Sequence, residues 1–552
     1  MNYSPAKKIL YPTCVAALLW YFWLPFLLAY VNDLVNGPAR SMIDDSFMFL
    51  RYAKIWAAGH GVAWNMDQSP VYGLTSQLHF LLVIFLNTFT SLSDERIVLF
   101  SSAIPGLLLV FYLPLVCAKH ALLFSRKSLG WRYVFWFATA GSIFIYFSQV
   151  EFHSRMGMET CLSTLLHAGL IDMVLTYGKN PVYRNKILIV VVAAALFLTR
   201  IDNIIVAFLF PIAYLFFVEK KPKDALHVGL AISVFILVFE LFCEWYYGDF
   251  FPLSFYSKQA GYFRGFVGAV EHNVLYTLSY FLYGIFPFVV LIVIFYKNKN
   301  ALPIAIFLLP ALVTISYYFT MLTIMNLGSR YCFPFTVYFV IAGCIYISQE
   351  AMKDYLRILL ASLSLAVMYV GIMMLDKYHE EVAAYFTKPT GFCSTGDMMD
   401  LDPGTPDLPY IKGFQTLVRF ADMLNELPEG TKIVMTEFGY VGARNPRIHI
   451  IDVVGLHDRY VAHHGFSAQW LFEQKPDAIW VPHQDYTCMN HDILLSREFK
   501  TQYEYYPGLF NWGYALRKDS PNYPLMKQKL QKTFDSMYPG FVLEKYQKHY
   551  LP

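Results

Sequence analysis

Two adjacent carboxylates, Asp44 and Asp45, stand at the head of Asp44-Asp45-Ser-Phe-Met-Phe-Leu-Arg51-Tyr-Ala-Lys54, just after the first long apolar run of the chain. Ionised acids at a membrane edge are costly unless they face water, a partner or a substrate, so the pair is a candidate site. A helix-capping role competes on roughly even terms, because Asp suits both the N-cap and the first helical turn. If the pair does chemistry, one carboxylate can take the proton from an incoming hydroxyl, or hold a divalent cation that binds a phosphate. Further polar residues sit in apolar company: Glu151, His153, Arg155 and Glu159; Arg200 with Asp202 and Asn203; Asp249, Lys258 and Arg264; Asn326 and Arg330. Arginines grip a phosphate bidentately where lysine supplies a point charge, and both stabilise a departing anion.

The elements that must position these groups are membrane helices. Of 552 residues, 57% are hydrophobic and only 15% charged, a balance too apolar for an ordinary soluble protein. A formal net charge of +3, with no basic run and no zinc-type spacing, sets nucleic acid aside as a partner. Lys7 and Lys8 precede an apolar run from Ile9 to Val31, which exceeds the roughly 7 to 15 residues of a signal-peptide core and reads as a retained span. Apolar blocks follow at 77–90, 97–117, 133–149, 160–178, 186–218, 225–246, 273–296, 301–325, 330–349 and 355–375.

Lys and Arg in short loops favour the cytoplasm. The clusters are Lys119 with Arg126, Lys127 and Arg132; Lys179 with Arg184 and Lys186; Lys220, Lys221 and Lys223; Lys297 and Lys299; and Lys353 with Arg357. All fall on one side only if block 77–90, too short for an ordinary span, does not cross, and if 186–218 is two spans broken near Arg200-Ile-Asp202-Asn203. About eleven spans result, with the N-terminus inside. The expected fold is thus a polytopic α-helical membrane domain over 1–375, with a first outer loop at 32–76, and a soluble domain over 376–552 on the outer face.

In that second domain Phe414 to Leu427 has helical spacing, while Lys432–Thr436, Ile448–Asp452 and Asp477–Val481 read as short buried strands, which together suggest a small α/β unit. Cys393 and Cys488 are the cysteines outside the apolar region; a disulfide and two free thiols are equally open. The topology puts every suspicious acid and arginine on the outer side, as one outward-facing polar cavity would require. Structural alternatives stand beside each residue: Arg200 with Asp202 as an ion pair between helices, His153 as interfacial packing, and the abundant Trp and Tyr as an interfacial belt.

The order of motifs resembles the polytopic glycosyltransferases of the C superfamily (GT-C), and within it the AftB-type terminal arabinofuranosyltransferase family. The resemblance is carried by Asp44-Asp45-Ser-Phe-Met-Phe-Leu-Arg51-Tyr-Ala, Gly59-His-Gly61-Val-Ala-Trp-Asn65, Tyr72-Gly-Leu-Thr-Ser76, Gly157-Met-Glu159-Thr160, Leu198-Thr-Arg200-Ile-Asp202, Tyr247-Gly-Asp249-Phe-Phe-Pro252 with Tyr256 and Lys258, Arg330 to Pro334, and Ile451-Asp452-Val-Val-Gly455-Leu-His-Asp458. It implies a catalytic acid in the first outer loop, Asp44 with Asp45 assisting. It also implies a donor and phosphate pocket of Arg51, Glu159, Arg200, Asp202, Lys258 and Arg330, with His153 and Tyr72 toward the acceptor. Ile201 stands where the family usually has proline, and Asp67-Gln-Ser-Pro-Val-Tyr-Gly73 where many relatives carry a Glu-Gly element.

The resulting expectation is a transferase of a bacterial inner membrane. It moves a sugar, arabinofuranose in that family, from a polyprenyl-phosphate donor to an envelope glycan or glycolipid on the outer face. Metal ligands are not assigned. A transporter or flippase of lipid-linked substrates is the competing class, and would show internal repeats, of which the sequence has no sign. A binding-only assembly protein is a third.

Overall fold

A computed structural model describes residues 24–25, 27–36, 42–124, 147–259, 301–318, 330–349, 408–409, 414–482 and 486–548. The spans expected at 9–31, 133–149, 273–296 and 355–375, and Cys393, lie wholly or largely outside these residues. Cys488 is disulfide-bonded.

Four of the described helical stretches are long and apolar enough to cross a membrane: Asp94–His120, Thr160–Lys179, Ile201–Val218 and Pro222–Tyr247. The last shows how sequence sets an element. Pro222 occupies the first turn, where a missing N–H costs nothing, and Gly248 at φ 77° closes the far end by returning its amide to the Glu244 carbonyl. Leu226, Leu230, Val234, Leu237 and Leu241 on this helix are all more than half exposed, an apolar face that suits hydrocarbon rather than water. Helix Gln77–Phe89 has 13 residues, about 20 Å of rise against a hydrocarbon core of about 30 Å.

The chain breaks at Arg200. Helix Tyr183–Thr199 ends there in an extended residue, φ −159° and ψ 129°; a short 3₁₀ turn, Ile201–Asn203, follows, and helix Ile204–Ala213 resumes. The break forms with Ile201 in place of proline. Its cause is the charged pair itself, because Arg200 chelates Asp202 two residues on, a contact that a continuing helix would turn away.

The C-terminal region carries helix Phe414–Leu424 and a mixed five-stranded sheet, of strands β1 (Lys432–Met435), β2 (His449–Asp452), β3 (Ala478–Trp480), β4 (Tyr503–Tyr506) and β5 (Tyr514–Arg517). The order is β2-β1-β3-β5-β4, parallel across β2, β1 and β3 and antiparallel from β3 through β5 to β4. The first three are the expected strands. The hairpin of β4 and β5 was not foreseen, because it is rich in Tyr and half polar.

Helix Ser46–Ala57, just after the acid pair, joins the two regions. Arg51 is fully buried and donates from Nε to the Trp64 carbonyl (2.8 Å), from Nη1 to Gly442 (2.8 Å) and Asn445 (3.3 Å), and from Nη2 to Ile448 (2.9 Å) and to Asn65 Oδ1 (2.8 Å). Asn65 in turn brackets Ile450 of β2, accepting from its amide at 2.8 Å and donating to its carbonyl at 3.0 Å. A buried arginine is tolerated only with its donors satisfied. Here backbone carbonyls from both regions satisfy them.

Candidate functional site

Asp44 and Asp45 lie in the turn before helix Ser46–Ala57, yet neither side chain caps that helix. Asp45 occupies the N-cap position without a side-chain hydrogen bond to it. Asp44 caps a different helix: its Oδ2 accepts from the Gly439 amide at 2.7 Å and its Oδ1 from the Tyr440 amide at 2.8 Å. These amides open helix Gly439–Arg444, whose own N-cap residue, Phe438, offers no side-chain acceptor. Gly439 is required here, since a Cβ at that position would overlap the Asp44 carbonyl oxygen. Burial pushes the Asp44 carboxyl up to about 7; the two amides oppose this and the neighbouring Asp45 adds to it.

Both acids line a cavity of about 1490 Å³ together with Glu159, Arg200, Asp202 and Arg330. The distances define one charged cluster. Arg200 donates to Glu159 at 2.8 Å and to both oxygens of Asp202, at 3.0 and 2.6 Å. The Tyr318 hydroxyl donates to Asp202 at 2.8 Å. The guanidiniums of Arg200 and Arg330 both lie over the Tyr331 ring, 4.4 and 5.1 Å from its centre.

Arg330 differs from Arg200 in one respect. It is buried, reaches Asp45 only at 3.9 Å and the Tyr331 hydroxyl at 3.3 Å, and its Nε and Nη1 have no hydrogen-bond partner among the described residues. Glu159 Oε2 is likewise unpaired. Buried donors and acceptors of this kind are expensive unless something fills them.

Other expected site residues fall elsewhere. Arg51 is not in the cavity wall; it is the joint described above. Tyr72 is buried and stacked on Tyr247, ring centres 5.0 Å apart, behind Gly73, Leu74 and Thr75, which do line the cavity. His153 is buried against the Phe333 ring at 4.4 Å, away from the cavity wall. Lys258 belongs to helix Leu253–Gln259, and its side chain lies outside the described residues. Asp249 contacts the C-terminal region, taking Arg459 Nε at 2.8 Å and His463 at 2.9 Å.

Two wall residues escaped the sequence reading. His457 stacks on Trp64 at 3.9 Å, sits 3.0 Å from the Tyr52 hydroxyl, and is driven well below the usual histidine range by burial and then by Arg51. Its motif, Ile451 to Asp458, carries the resemblance without marking His457 as a wall residue. Glu240 is a buried acid inside the apolar block 225–246; an intramembrane carboxylate is itself a signal, and it was passed over. Among the described residues no three His, Cys, Asp or Glu side chains group as metal ligands.

Residues 410–528 match a domain of unknown function, DUF8728. The match takes in the entire sheet and helix Gly439–Arg444, and so both amide partners of Asp44 and, of the partners of Arg51, Gly442, Asn445 and Ile448. No curated protein matches the chain. The DUF8728-matching region also supplies part of the cavity wall, including Thr436, Phe438, His457, Trp480 and Trp512.

Proposed function

We propose that the protein is a membrane glycosyltransferase that moves a sugar from a polyprenyl-phosphate donor to a glycan or glycolipid acceptor at the outer face of a bacterial inner membrane, with arabinofuranose the sugar that its resemblance favours. The observation that carries this reading is Arg330. It is a buried guanidinium whose Nε and Nη1 have no hydrogen-bond partner among the described residues, in the wall of a large cavity with Asp45 and Glu159, which suits an anionic group delivered by a ligand. Apolar residues of the wall support a lipid as carrier of that anion: Leu209, Leu237 and Val313 line the cavity and are also 38%, 55% and 38% exposed.

The reaction assigns a step to each group. Asp45 takes the proton from the acceptor hydroxyl, the acceptor oxygen bonds to the anomeric carbon, and the bond from that carbon to the phosphate oxygen breaks with its electron pair on the phosphate. Arg330 stabilises the released phosphate monoester, and Arg200, already held by Glu159 and Asp202, adds field without having to reorganise. Asp44 is the acid that the resemblance favours; because both of its oxygens are taken by Gly439 and Tyr440, the proton is assigned to Asp45, with Asp44 fixing the turn that presents it.

The test is transfer from synthetic polyprenyl-phosphate sugars by purified protein in lipid nanodiscs. Loss of product in Asp45→Asn and Arg330→Gln, with folding intact, is the expected result. Full activity in both variants sinks the assignment. Movement of the lipid across a vesicle membrane without product favours the flippase.

A further inference from the structure

Resting on that transferase reading, we infer that Glu240 is a binding residue for a hydroxyl of the donor's sugar, and so a determinant of which sugar is accepted. Glu240 lies on helix Pro222–Tyr247, about 10 Å from its end at the rise of an α-helix. It is 3% exposed, it lines the cavity, and its Oε2 has no hydrogen-bond partner among the described residues. No described lysine or arginine pairs with it, in contrast to Glu159, whose partner is Arg200.

The chemistry of the missing partner follows from the group. A carboxylate oxygen only accepts, so what fills it must donate. A phosphate has little to donate and would be repelled, so Glu240 does not serve the anion that Arg330 awaits. A sugar hydroxyl donates, and carries no charge to desolvate.

The position favours the donor sugar over the acceptor. Ser233, Ile236, Leu237 and Glu240 all line the cavity, and their spacing puts them along one helix face. Along this face Ile236 and the exposed Leu237 lead directly to Glu240, the one carboxylate among these four residues. Phe197 and Ile201, also in the wall, flank Arg200 on either side of the break. An acceptor entering from outside meets the C-terminal wall first. In the proposed pose a lipid-linked sugar lays its chain along the apolar face, its phosphate at Arg330 and a hydroxyl at Glu240, all three being walls of the same cavity.

The experiment measures binding, so it does not depend on turnover. Full-length protein in nanodiscs is titrated with farnesyl phosphate and with its arabinofuranosyl, glucosyl, mannosyl and galactosyl derivatives. The wild type is expected to bind one glycoside more tightly than bare farnesyl phosphate. Glu240→Leu should weaken that glycoside about tenfold, the scale of one lost hydrogen bond, and leave farnesyl phosphate unchanged. Glu240→Gln, which keeps a carbonyl acceptor, should retain most of the preference. A glycoside preference unchanged in Glu240→Leu overturns the inference, as does an equal loss for glycoside and bare lipid. Unchanged donor binding with a raised KM for the acceptor also overturns it, by moving the hydroxyl to the other substrate. A Glu240-dependent preference without any sugar transfer overturns the transferase reading alone, whereas a wild type that binds none of these lipids overturns both.

Discussion

The carboxylate of Asp44 meets the backbone amide of Tyr440 at 2.8 Å across 396 residues of sequence. With its second oxygen on Gly439, one side chain of the acid pair holds the wall of the C-terminal region against the membrane region. Asp44→Ala leaves two amides without acceptors, at a cost of about 1–3 kcal/mol each where they are buried. The expected outcome is a lowered thermal midpoint and faster proteolytic release of the region beyond residue 414. Unchanged proteolysis contradicts the capping role.

Gly439→Ala tests the same contact without touching charge. Its Cβ overlaps the Asp44 carbonyl oxygen, which is backbone and cannot swing aside. This variant should phenocopy Asp44→Ala in proteolysis, whereas Gly430→Ala, at a position with open space around the Cβ but φ 77°, should show only local strain, of order 1 kcal/mol.

Arg51→Met removes the guanidinium that satisfies four backbone carbonyls and Asn65. Several buried groups lose their partner at once, so destabilisation of at least about 3 kcal/mol is expected, and Arg51→Lys should recover little of it because an ammonium lacks the planar fork. Denaturant unfolding of the full chain gives the measurement. A near-wild-type Arg51→Lys refutes the fork argument.

Stability should fall as pH rises from about 4 through about 7. Burial pushes Asp44 and Asp452 each up to about 7 from the ordinary value of 3.8, despite the amides that each accepts from. A raised acid pKa means that the folded state holds the proton more tightly, so the contribution is complete below the unfolded value and is lost as pH climbs through the folded one. Asp44→Asn should flatten that slope in thermal melts between pH 4 and pH 8, and identical slopes would refute it.

Arg330→Lys keeps the charge at the cavity wall but loses the paired N–H groups that stand unfilled. Binding of farnesyl phosphate should weaken about tenfold in the lysine variant and further in Arg330→Gln, because charge-assisted hydrogen bonds contribute about 1.5–3 kcal/mol each. Equal affinities in wild type and Arg330→Gln would remove Arg330 from phosphate binding.

Much of the architecture was legible because it rests on local chemistry. The apolar runs, the break forced by Arg200 and Asp202, and the three buried strands each announce themselves within a few residues. Which polar residues face one another was less legible. Arg51 and Arg330 are the same side chain among apolar and aromatic neighbours, and nothing in those neighbours separates a domain joint from an open anion site. Glu240 could have been found, since any acid inside a span is suspect; Trp64 under His457 could not, as their stacking joins two distant motifs.

The sequence by itself determined the apolar composition, the change in character near residue 376, and a set of acids and arginines that hydrocarbon would not tolerate unpaired. Tertiary structure decided how they were paired. It gave Asp44 to the amides of Gly439 and Tyr440, Arg51 to backbone carbonyls, and Arg200 to Glu159 and Asp202, and among the described residues it left Arg330 and Glu240 with unfilled atoms at the cavity wall. The reason is physical: burial cost is a property of each residue and can be read along the chain, whereas satisfaction depends on partners that only the folded chain brings within hydrogen-bond reach.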